Sequence, residues 1–339
     1  MAPLAGLHAT SLELHVPVDA LTMHSMISRN ELLHCLASLS YGGPPWIAVF
    51  GDSLARGVFF DVVSILNGSY TAGRGPESVH PGHSANYSSG CQLYERRPPL
   101  DRLKCGAFNY EYPLGGIGTR ERHVEVAGSM PTRQHPDHDI LQLSFRLKTF
   151  AWEPRFDEEW FRTLRSIPTL PTVLLLGFGV WDMQYPAGGT PEAGVDAFED
   201  ALKTFLGRLE QTLRTKLRAI ARAKGVPVRR LRKPRIYWLT VAAISSSKLP
   251  EWKKHRMNAG LAQRYNEVAR PQLQRRGIEI IDTFSSTLAN PLLSIDGVHF
   301  PGVVSKHHTQ LFLRATCTNF LSFRTRQEPP IDSENVVDA

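Results

Sequence analysis

Short apolar runs alternate with segments of helical periodicity along most of the chain. Five runs are rich in strand-forming residues: 46–50 (WIAVF), 139–145 (DILQLSF), 172–178 (TVLLLGF), 235–243 (RIYWLTVAA) and 278–284 (IEIIDTF). Apolar runs of this length are typical of strands that are buried on both faces, as in a parallel sheet. The pattern therefore predicts five strands of a mostly parallel sheet.

Helical periodicity separates these runs. After the first run, Leu54, Val58 and Val62 recur at intervals of four residues, and Asn67-Gly68 predicts the end of this helix. Further helices are predicted over 29–38, 192–224, 257–277 with a bend at Pro271, and 305–323. Strands that alternate with helices predict an α/β fold, and functional sites in such folds lie beyond the carboxyl ends of the strands.

The 339 residues are enough for one large domain, which we place at 44–325. Residues 1–43 are expected to form an N-terminal extension, and the polar, acidic tail 326–339 is expected to be disordered. Residues 68–138 are rich in Gly, Pro, Ser and His, so they are predicted to form a long irregular insertion after the first helix.

Basic residues are concentrated in one segment. The chain has a formal net charge of +7, and residues 214–235 include ten basic residues and no acidic one. We interpret this segment as a solvated helix face that continues into a basic loop; the alternative is a binding patch for nucleic acid or another anionic polymer. No nucleic-acid partner is expected, because no aromatic residue interrupts the segment and no nucleic-acid motif accompanies it.

No apolar run is long enough to cross a membrane. The longest, 172–181, falls well short of the ~20 residues that a spanning helix needs. The first residues lack the basic and apolar regions of a signal peptide. The location stays open, because this start fits a cytoplasmic protein whereas a missing upstream segment would fit the secretory pathway. The oligomeric state is not predicted.

The four cysteines include no CxxC pair, which argues against a zinc ribbon. Cys91 and Cys105 flank a proline-rich stretch, and a disulfide between them is expected if the chain enters an oxidising compartment. Free thiols are the alternative in a reducing compartment. The states of Cys35 and Cys317 are not predicted.

Two short stretches contain residues suited to nucleophilic catalysis. VFGDSLAR (49–56) ends the first strand, so Ser53 is either a nucleophile on a strand-to-helix turn or, like Asp52, a helix cap. SIDGVHFPG places Asp296 and His299 three residues apart after the fifth strand. At this spacing Asp296 can orient one ring nitrogen of His299 while the other faces Ser53, which gives the hypothesis of a Ser-Asp-His triad.

These stretches carry a resemblance to a known family. VFGDSLARGVFFDVVSILNG followed downstream by DGVHF resembles the SGNH/GDSL hydrolase superfamily, and most of all its PC-esterase branch, with trichome-birefringence-like and sialate O-acetyltransferase-like proteins. The resemblance spans roughly residues 44–323, interrupted by 68–138. It implies a flavodoxin-like three-layer α/β sandwich and acyl-ester chemistry. It also implies that Ser53 is the nucleophile, His299 the general base and Asp296 its orienting group.

The resemblance further implies an oxyanion hole. The first donor is the backbone N–H of Ser53 at a helix start, and the second is a glycine after an early strand, for which Gly128 is the candidate. Trp181 occupies the place of a third donor, usually the Asn of a Gly-x-Asn-Asp block. Its indole N–H can donate one hydrogen bond; a packed aromatic residue beside a capping Asp182 is the alternative. Arg56 is either a substrate contact or part of a structural ion pair.

Histidines and carboxylates also occur together within the predicted insertion. His80, His83 and the stretch HPDHD (135–139) match no metal-binding spacing, so no metal and no other cofactor is expected. The predicted function is a serine acyl-ester hydrolase or O-acyltransferase that acts on O-acetyl groups of a glycan or a small molecule. The alternative, motivated by Trp181, is a catalytically weak SGNH-like protein that binds a ligand or a partner.

Overall fold

A seven-stranded sheet is the centre of the computed structural model, which describes residues 26–39, 45–66, 107–113, 122–123 and 140–325. The strands are β1 (Trp46–Gly51), β2 (Ala107–Pro113), β3 (Arg122–His123), β4 (Ile140–Leu147), β5 (Val173–Gly177), β6 (Arg235–Leu239) and β7 (Glu279–Ile281). Their order is β3-β2-β4-β1-β5-β6-β7. Strands β4, β1, β5, β6 and β7 run parallel, which confirms the predicted mostly parallel sheet.

Helices cover both faces of the sheet. The described helices are α1 (Arg29–Leu39), α2 (Ser53–Leu66), α3 (Pro154–Ser166), α4 (Val180–Gln184), α5 (Pro191–Lys224), α6 (Glu251–Lys254), α7 (Ala259–Gln274), α8 (Phe284–Ala289) and α9 (Val303–Thr325). Helices α3, α5 and α7 contribute to one hydrophobic core, and α1, α2 and α9 contribute to the other. The fold is therefore a three-layer α/β sandwich, as predicted.

The position of β1 in the middle of the sheet explains why its sequence is apolar throughout. Successive side chains of a strand point to opposite faces of the sheet. Accordingly, Trp46 and Phe50 belong to the core beneath α3 and α5, whereas Ile47 and Val49 belong to the core beneath α2 and α9. Both faces are covered, so every residue of β1 is buried.

The predicted irregular insertion contains strands, which corrects the prediction for part of 68–138. Strand β2 pairs antiparallel with β4 from Ala107 opposite Arg146 to Pro113 opposite Ile140, and β3 pairs with β2. Backbone hydrogen bonds to the edge of β4 hold β2 in its extended conformation. The strand therefore depends on tertiary pairing and is not indicated by local strand propensity. Residues 67–106, 114–121 and 124–139 lie outside the described residues.

A disulfide joins the helix before β1 to the last helix. Cys35 of α1 and Cys317 of α9 are bonded, with their Cα atoms 5.7 Å apart, and both are buried. The bond closes a chain separation of 282 residues. Cys91 and Cys105, the pair considered from the sequence, lie outside the described residues.

None of the described helices is both long enough and apolar enough to cross a membrane.

Candidate active site

The turn between β1 and α2 places Ser53 at the carboxyl edge of the sheet. A Cβ atom on Gly51 would lie 2.3 Å from the carbonyl oxygen of Gly177 and 2.5 Å from the Cβ of Ala55, so only glycine fits here. The buried Asp52 carboxylate accepts a hydrogen bond of 2.9 Å from the N–H of Leu54. Asp52 thus caps α2, and Ser53 is the first residue of that helix.

The structure brings Ser53, His299 and Asp296 together in a chain of hydrogen bonds. The Oγ of Ser53 lies 2.7 Å from the Nε2 of His299. The Nδ1 of the same ring lies 2.7 Å from the Oδ2 of Asp296. These contacts have the geometry in which a base activates a hydroxyl and a carboxylate orients the base.

Asp296 is held in its ionised form. Its Oδ1 accepts backbone hydrogen bonds of 2.9 Å from Val298 and 2.8 Å from His299, in addition to the ring contact. Burial opposes ionisation, but the hydrogen bonds and the nearby His299 outweigh it and hold the pKa of Asp296 well below its ordinary value. The carboxylate can therefore stabilise a positive charge on the imidazole.

The loop that carries Asp296 and His299 is fixed by hydrogen bonds of its own. The Ser294 hydroxyl accepts from the N–H of Gly297 at 2.9 Å and donates to the carbonyl of His299 at 3.1 Å. Gly297 has a φ of 92°, and a Cβ there would lie 2.7 Å from Leu249. Lys248 donates to the carbonyl of Ser294 and so ties the loop to the segment after β6.

Asp52 adds a second carboxylate beside the candidate nucleophile. Burial raises the pKa of Asp52 to about 6, whereas backbone hydrogen bonds from Leu54 and Ala55 and the nearby His299 and Arg56 act in the opposite direction. Arg56 is itself buried on α2, three residues after Ser53. The charge of Arg56 is close enough to the capping carboxylate of Asp52 to favour its ionised form.

Trp181 lies on α4, directly beyond the carboxyl end of β5. Its partly buried ring stacks on Tyr185 at 5.8 Å and meets the edge of Phe150 at 6.4 Å. Trp181 is thus part of an aromatic group at the same edge of the sheet as Ser53. Gly128, the candidate for the second oxyanion donor, lies outside the described residues.

Buried charges beneath this edge were not anticipated from the sequence. Lys148 directly follows β4, and its Nζ lies 2.6 and 2.8 Å from the two carboxylate oxygens of Asp157. The side chain of Lys148 is fully buried, and its ammonium group also lies 4.7–5.3 Å from the ring centres of three phenylalanines, Phe50, Phe178 and Phe205. Burial lowers the pKa of Lys148, and the adjacent carboxylate opposes this shift.

Asp182 links the loops that follow β4 and β5. Both of its carboxylate oxygens accept from the N–H of Ala151, at 3.1 and 3.0 Å. Burial raises the pKa of Asp182 to about 7, although the hydrogen bond from Ala151 and the charge of Lys148 oppose this shift. The signal in the sequence is the position of Asp182 just after an apolar strand, which by itself indicates only a capping residue.

In the part of the chain that the structure describes, no group of three or more His, Cys, Asp or Glu side chains has the arrangement of a metal site. His80, His83 and 135–139 lie outside this part.

No family model and no curated protein matches the chain. It is similar to a solved catalytic mutant of Axe2, an acetylxylan esterase from Geobacillus stearothermophilus, with 13% identity, coverage of 81% of this chain and 95% of that one, and a TM-score of 0.37. The acetyl xylan esterase AlAXEase gives 14% identity, coverage of 80% and 98%, and a TM-score of 0.39. A lipase/acylhydrolase from Enterococcus faecalis has 14% identity, with coverage of 81% of this chain and 96% of that one, and a TM-score of 0.36.

Proposed function

We propose that this protein is a serine ester hydrolase of the SGNH type. The observation that carries the proposal is the hydrogen-bonded chain from Ser53 through His299 to Asp296 at the carboxyl edge of the sheet. A serine hydroxyl is a weak nucleophile unless a base accepts its proton, and a base works best when a third group orients it. The three side chains meet both requirements.

In the proposed reaction, the Oγ of Ser53 attacks the carbonyl carbon of an ester while its proton passes to Nε2 of His299. Asp296 stabilises the imidazolium that forms. The tetrahedral intermediate collapses, the alkoxide leaving group takes the proton from His299, and an alcohol departs from an acyl-serine. Water then gives a proton to His299 and attacks the acyl group, so the carboxylic acid leaves and Ser53 regains its proton.

The developing oxyanion needs hydrogen-bond donors. The N–H of Ser53 belongs to the first turn of α2, where backbone N–H groups lack intrahelical acceptors and the helix dipole favours a negative charge. We propose this N–H as the first donor. The indole N–H of Trp181 and the backbone N–H of Gly128 are proposed as further donors, as the sequence resemblance implies.

The proposed substrate is an O-acetyl ester on a glycan or a small molecule. A hydroxyl of an acceptor can replace water in the second step, and the same chemistry then makes the protein an O-acyltransferase. Membership of the PC-esterase branch and the transferase activity stay predictions from the sequence resemblance. Two of the similar structures are named as acetylxylan esterases, which agrees with an acetyl substrate.

A specific feature favours a second candidate function. Trp181, with its neighbours Phe150 and Tyr185, puts aromatic bulk where the resembled family usually has an asparagine. An aromatic surface of this kind suits ligand binding. The second candidate is therefore a ligand-binding protein with weak catalysis.

Hydrolysis of p-nitrophenyl acetate by the purified chain tests the proposal. We expect turnover by the wild type and a loss of about a hundredfold or more in kcat/KM for Ser53→Ala and for His299→Ala, with unchanged melting temperatures. Ser166→Ala, an exposed serine at the end of α3, is the matched control and should keep its activity. Equal activity of all four proteins would rule out Ser53 and His299 as catalytic residues. A wild type that does not hydrolyse the ester but binds acetylated glycans would favour the second candidate function.

A further inference from the structure

The amino edge of the parallel sheet, opposite the edge that carries Ser53 and His299, is strongly basic. Helix α5 ends there at Lys224, a 3-10 turn follows at Val228–Arg230, and β6 begins at Arg235. This connection contains most of the basic segment noted in the sequence. The structure therefore places that segment on one side of the fold, away from the candidate active site.

Two of the ten basic residues in 214–235 donate hydrogen bonds to backbone carbonyls elsewhere in the fold. Lys216 donates to the carbonyl of Arg165 at 2.9 Å, and Arg235 donates to the carbonyl of Thr316 at 2.7 Å. The other eight are exposed: Arg214, Arg218, Arg222, Lys224, Arg229, Arg230, Arg232 and Lys233. Most of the basic side chains of this segment are thus exposed at the surface of the described structure.

Carboxylates of the described residues neutralise little of this charge. Arg214 pairs with Glu210 at 2.5 Å. Six of the others form no salt bridge with a described carboxylate: Arg218, Arg222, Lys224, Arg229, Arg230 and Lys233. Positive charge at this edge therefore remains largely uncompensated.

Other helix ends extend the same surface. Arg165 lies in the last turn of α3, close enough to α5 to bond Thr212, and Arg275 caps α7. Both are exposed. We call the following residues the basic face: Arg165, Arg222, Lys224, Arg229, Arg230, Arg232, Lys233 and Arg275. Glu279, at the start of β7, is an exposed carboxylate at this edge.

Ordinary helix electrostatics explain only part of the basic face. Cations in the last turn of a helix interact favourably with its dipole, which accounts for Arg222 and Lys224. Gly225, whose φ is 63°, caps the end of α5, so the four cations at 229–233 lie beyond that effect. Like charges this close together repel one another, and an anionic partner would remove the repulsion.

We propose that the basic face binds the surface of an anionic lipid bilayer. The cations come from three helix ends and one turn, so they cover a broad face, as a bilayer requires. No aromatic residue occurs in 214–235 on which nucleic-acid bases could stack. At the tip of the turn, Val228 is 40% exposed beside Pro227 and offers an apolar side chain to the interface. Bound in this way, the protein would hold Ser53 and His299 on its far side, toward the aqueous phase.

Flotation of the full chain with lipid vesicles tests this proposal. We expect binding to phosphatidylcholine vesicles that contain about 30 mol% phosphatidylserine, no binding to pure phosphatidylcholine, and release at high salt. Arg229→Glu/Arg230→Glu should weaken binding about tenfold or more. The matched control, Lys203→Glu/Arg264→Glu, makes the same change in net charge elsewhere on α5 and α7 and should bind like the wild type.

The neutral pair Arg229→Gln/Arg230→Gln repeats the test if the charge reversal impairs folding. The proposal is wrong if phosphatidylserine vesicles are not bound, or if both reversed pairs lose affinity equally, since only net charge would then matter. Binding to heparin or to poly(U) without binding to vesicles would also overturn it, in favour of an anionic polymer. Hydrolase activity is not part of this test, so its result is independent of the proposed function.

Discussion

Ser53 Oγ and His299 Nε2 lie 2.7 Å apart, although 246 residues separate them along the chain. Ser53 begins α2 directly after β1, and His299 lies in the loop before α9. Helices α2 and α9 pack against each other on the same face of the sheet. The contact between the two side chains therefore depends on how these two helices are held together.

A half-buried carboxylate joins the two helices. Asp61, two turns after Ser53 on α2, accepts hydrogen bonds from Ser305 at 2.7 Å and from Thr309 at 3.1 Å, both on α9. Burial raises the pKa of Asp61 to about 6, against the effect of these hydrogen bonds and of Lys306.

We expect Asp61→Asn to change how stability depends on pH. The folded protein binds the Asp61 proton more tightly than the unfolded chain, whose pKa is near 3.8. The stability that protonated Asp61 contributes is therefore complete below about pH 4 and is lost as pH rises through 6. Relative to the wild type, Asp61→Asn should gain up to about 3 kcal/mol of unfolding free energy between pH 4 and pH 8.

Urea denaturation of both proteins at the two pH values measures this difference. Asp200→Asn removes an exposed carboxylate from α5 and serves as the control. If the unfolding free energies of the wild type and Asp61→Asn differ by the same amount at pH 4 and at pH 8, the pKa of Asp61 is not raised in the folded protein.

Asp296→Asn tests the proposed role of Asp296 as the carboxylate that orients His299. The amide oxygen can still accept from the N–H groups of Val298 and His299, but its NH2 group then faces Nδ1 and favours the wrong imidazole tautomer. We expect kcat to fall by about 10²–10⁴ with the fold intact. Asp282→Asn, an exposed carboxylate that bonds Ser285, should leave kcat unchanged. Wild-type activity of Asp296→Asn would show that His299 needs no orienting carboxylate.

The disulfide between Cys35 and Cys317 should stabilise the folded protein. It closes a loop of about 280 residues, and such a cross-link lowers the entropy of the unfolded chain. Cys35→Ala/Cys317→Ala should lower the unfolding free energy by roughly 2–5 kcal/mol. Reduction should destabilise the wild type by a similar amount and leave the double variant unaffected. Equal stability of the oxidised wild type and the variant would contradict this expectation.

The buried ion pair gives a prediction about non-additive effects. Lys148→Met leaves the Asp157 carboxylate buried without its counter-ion, which should cost about 3–5 kcal/mol. Lys148→Met/Asp157→Asn removes the uncompensated charge and keeps an acceptor for the N–H of Glu153, so it should recover much of the loss. The measurement is a double-mutant cycle by chemical denaturation. Additive losses would mean that the two charges do not act as a pair.

Much of the fold and the candidate site could be predicted because the signals are local. Each parallel strand is a short apolar run, Gly51 and Ser53 lie at the end of β1, and Asp296 and His299 lie three residues apart in the loop before α9. Helix α3 was missed because its many charges mask an apolar stripe that includes Trp160, Phe161 and Leu164.

The features that could not be predicted depend on tertiary structure. Strand β2 forms because the edge of β4 offers backbone hydrogen bonds, which a single sequence does not display. Cys35 and Cys317 are paired by the packing of α1 against α9. From the sequence Lys148 is expected to be solvated, whereas in the structure Asp157 and three aromatic rings surround its ammonium group.

Labelling with a fluorophosphonate probe tests most directly whether Ser53 is an activated nucleophile. Such a probe phosphonylates a serine hydroxyl whose proton a neighbouring base accepts. We expect peptide mass spectrometry to find one adduct, on Ser53, in the wild type, and little or none in His299→Ala. The absence of an adduct on Ser53, or undiminished labelling of Ser53 in His299→Ala, would contradict the proposed triad.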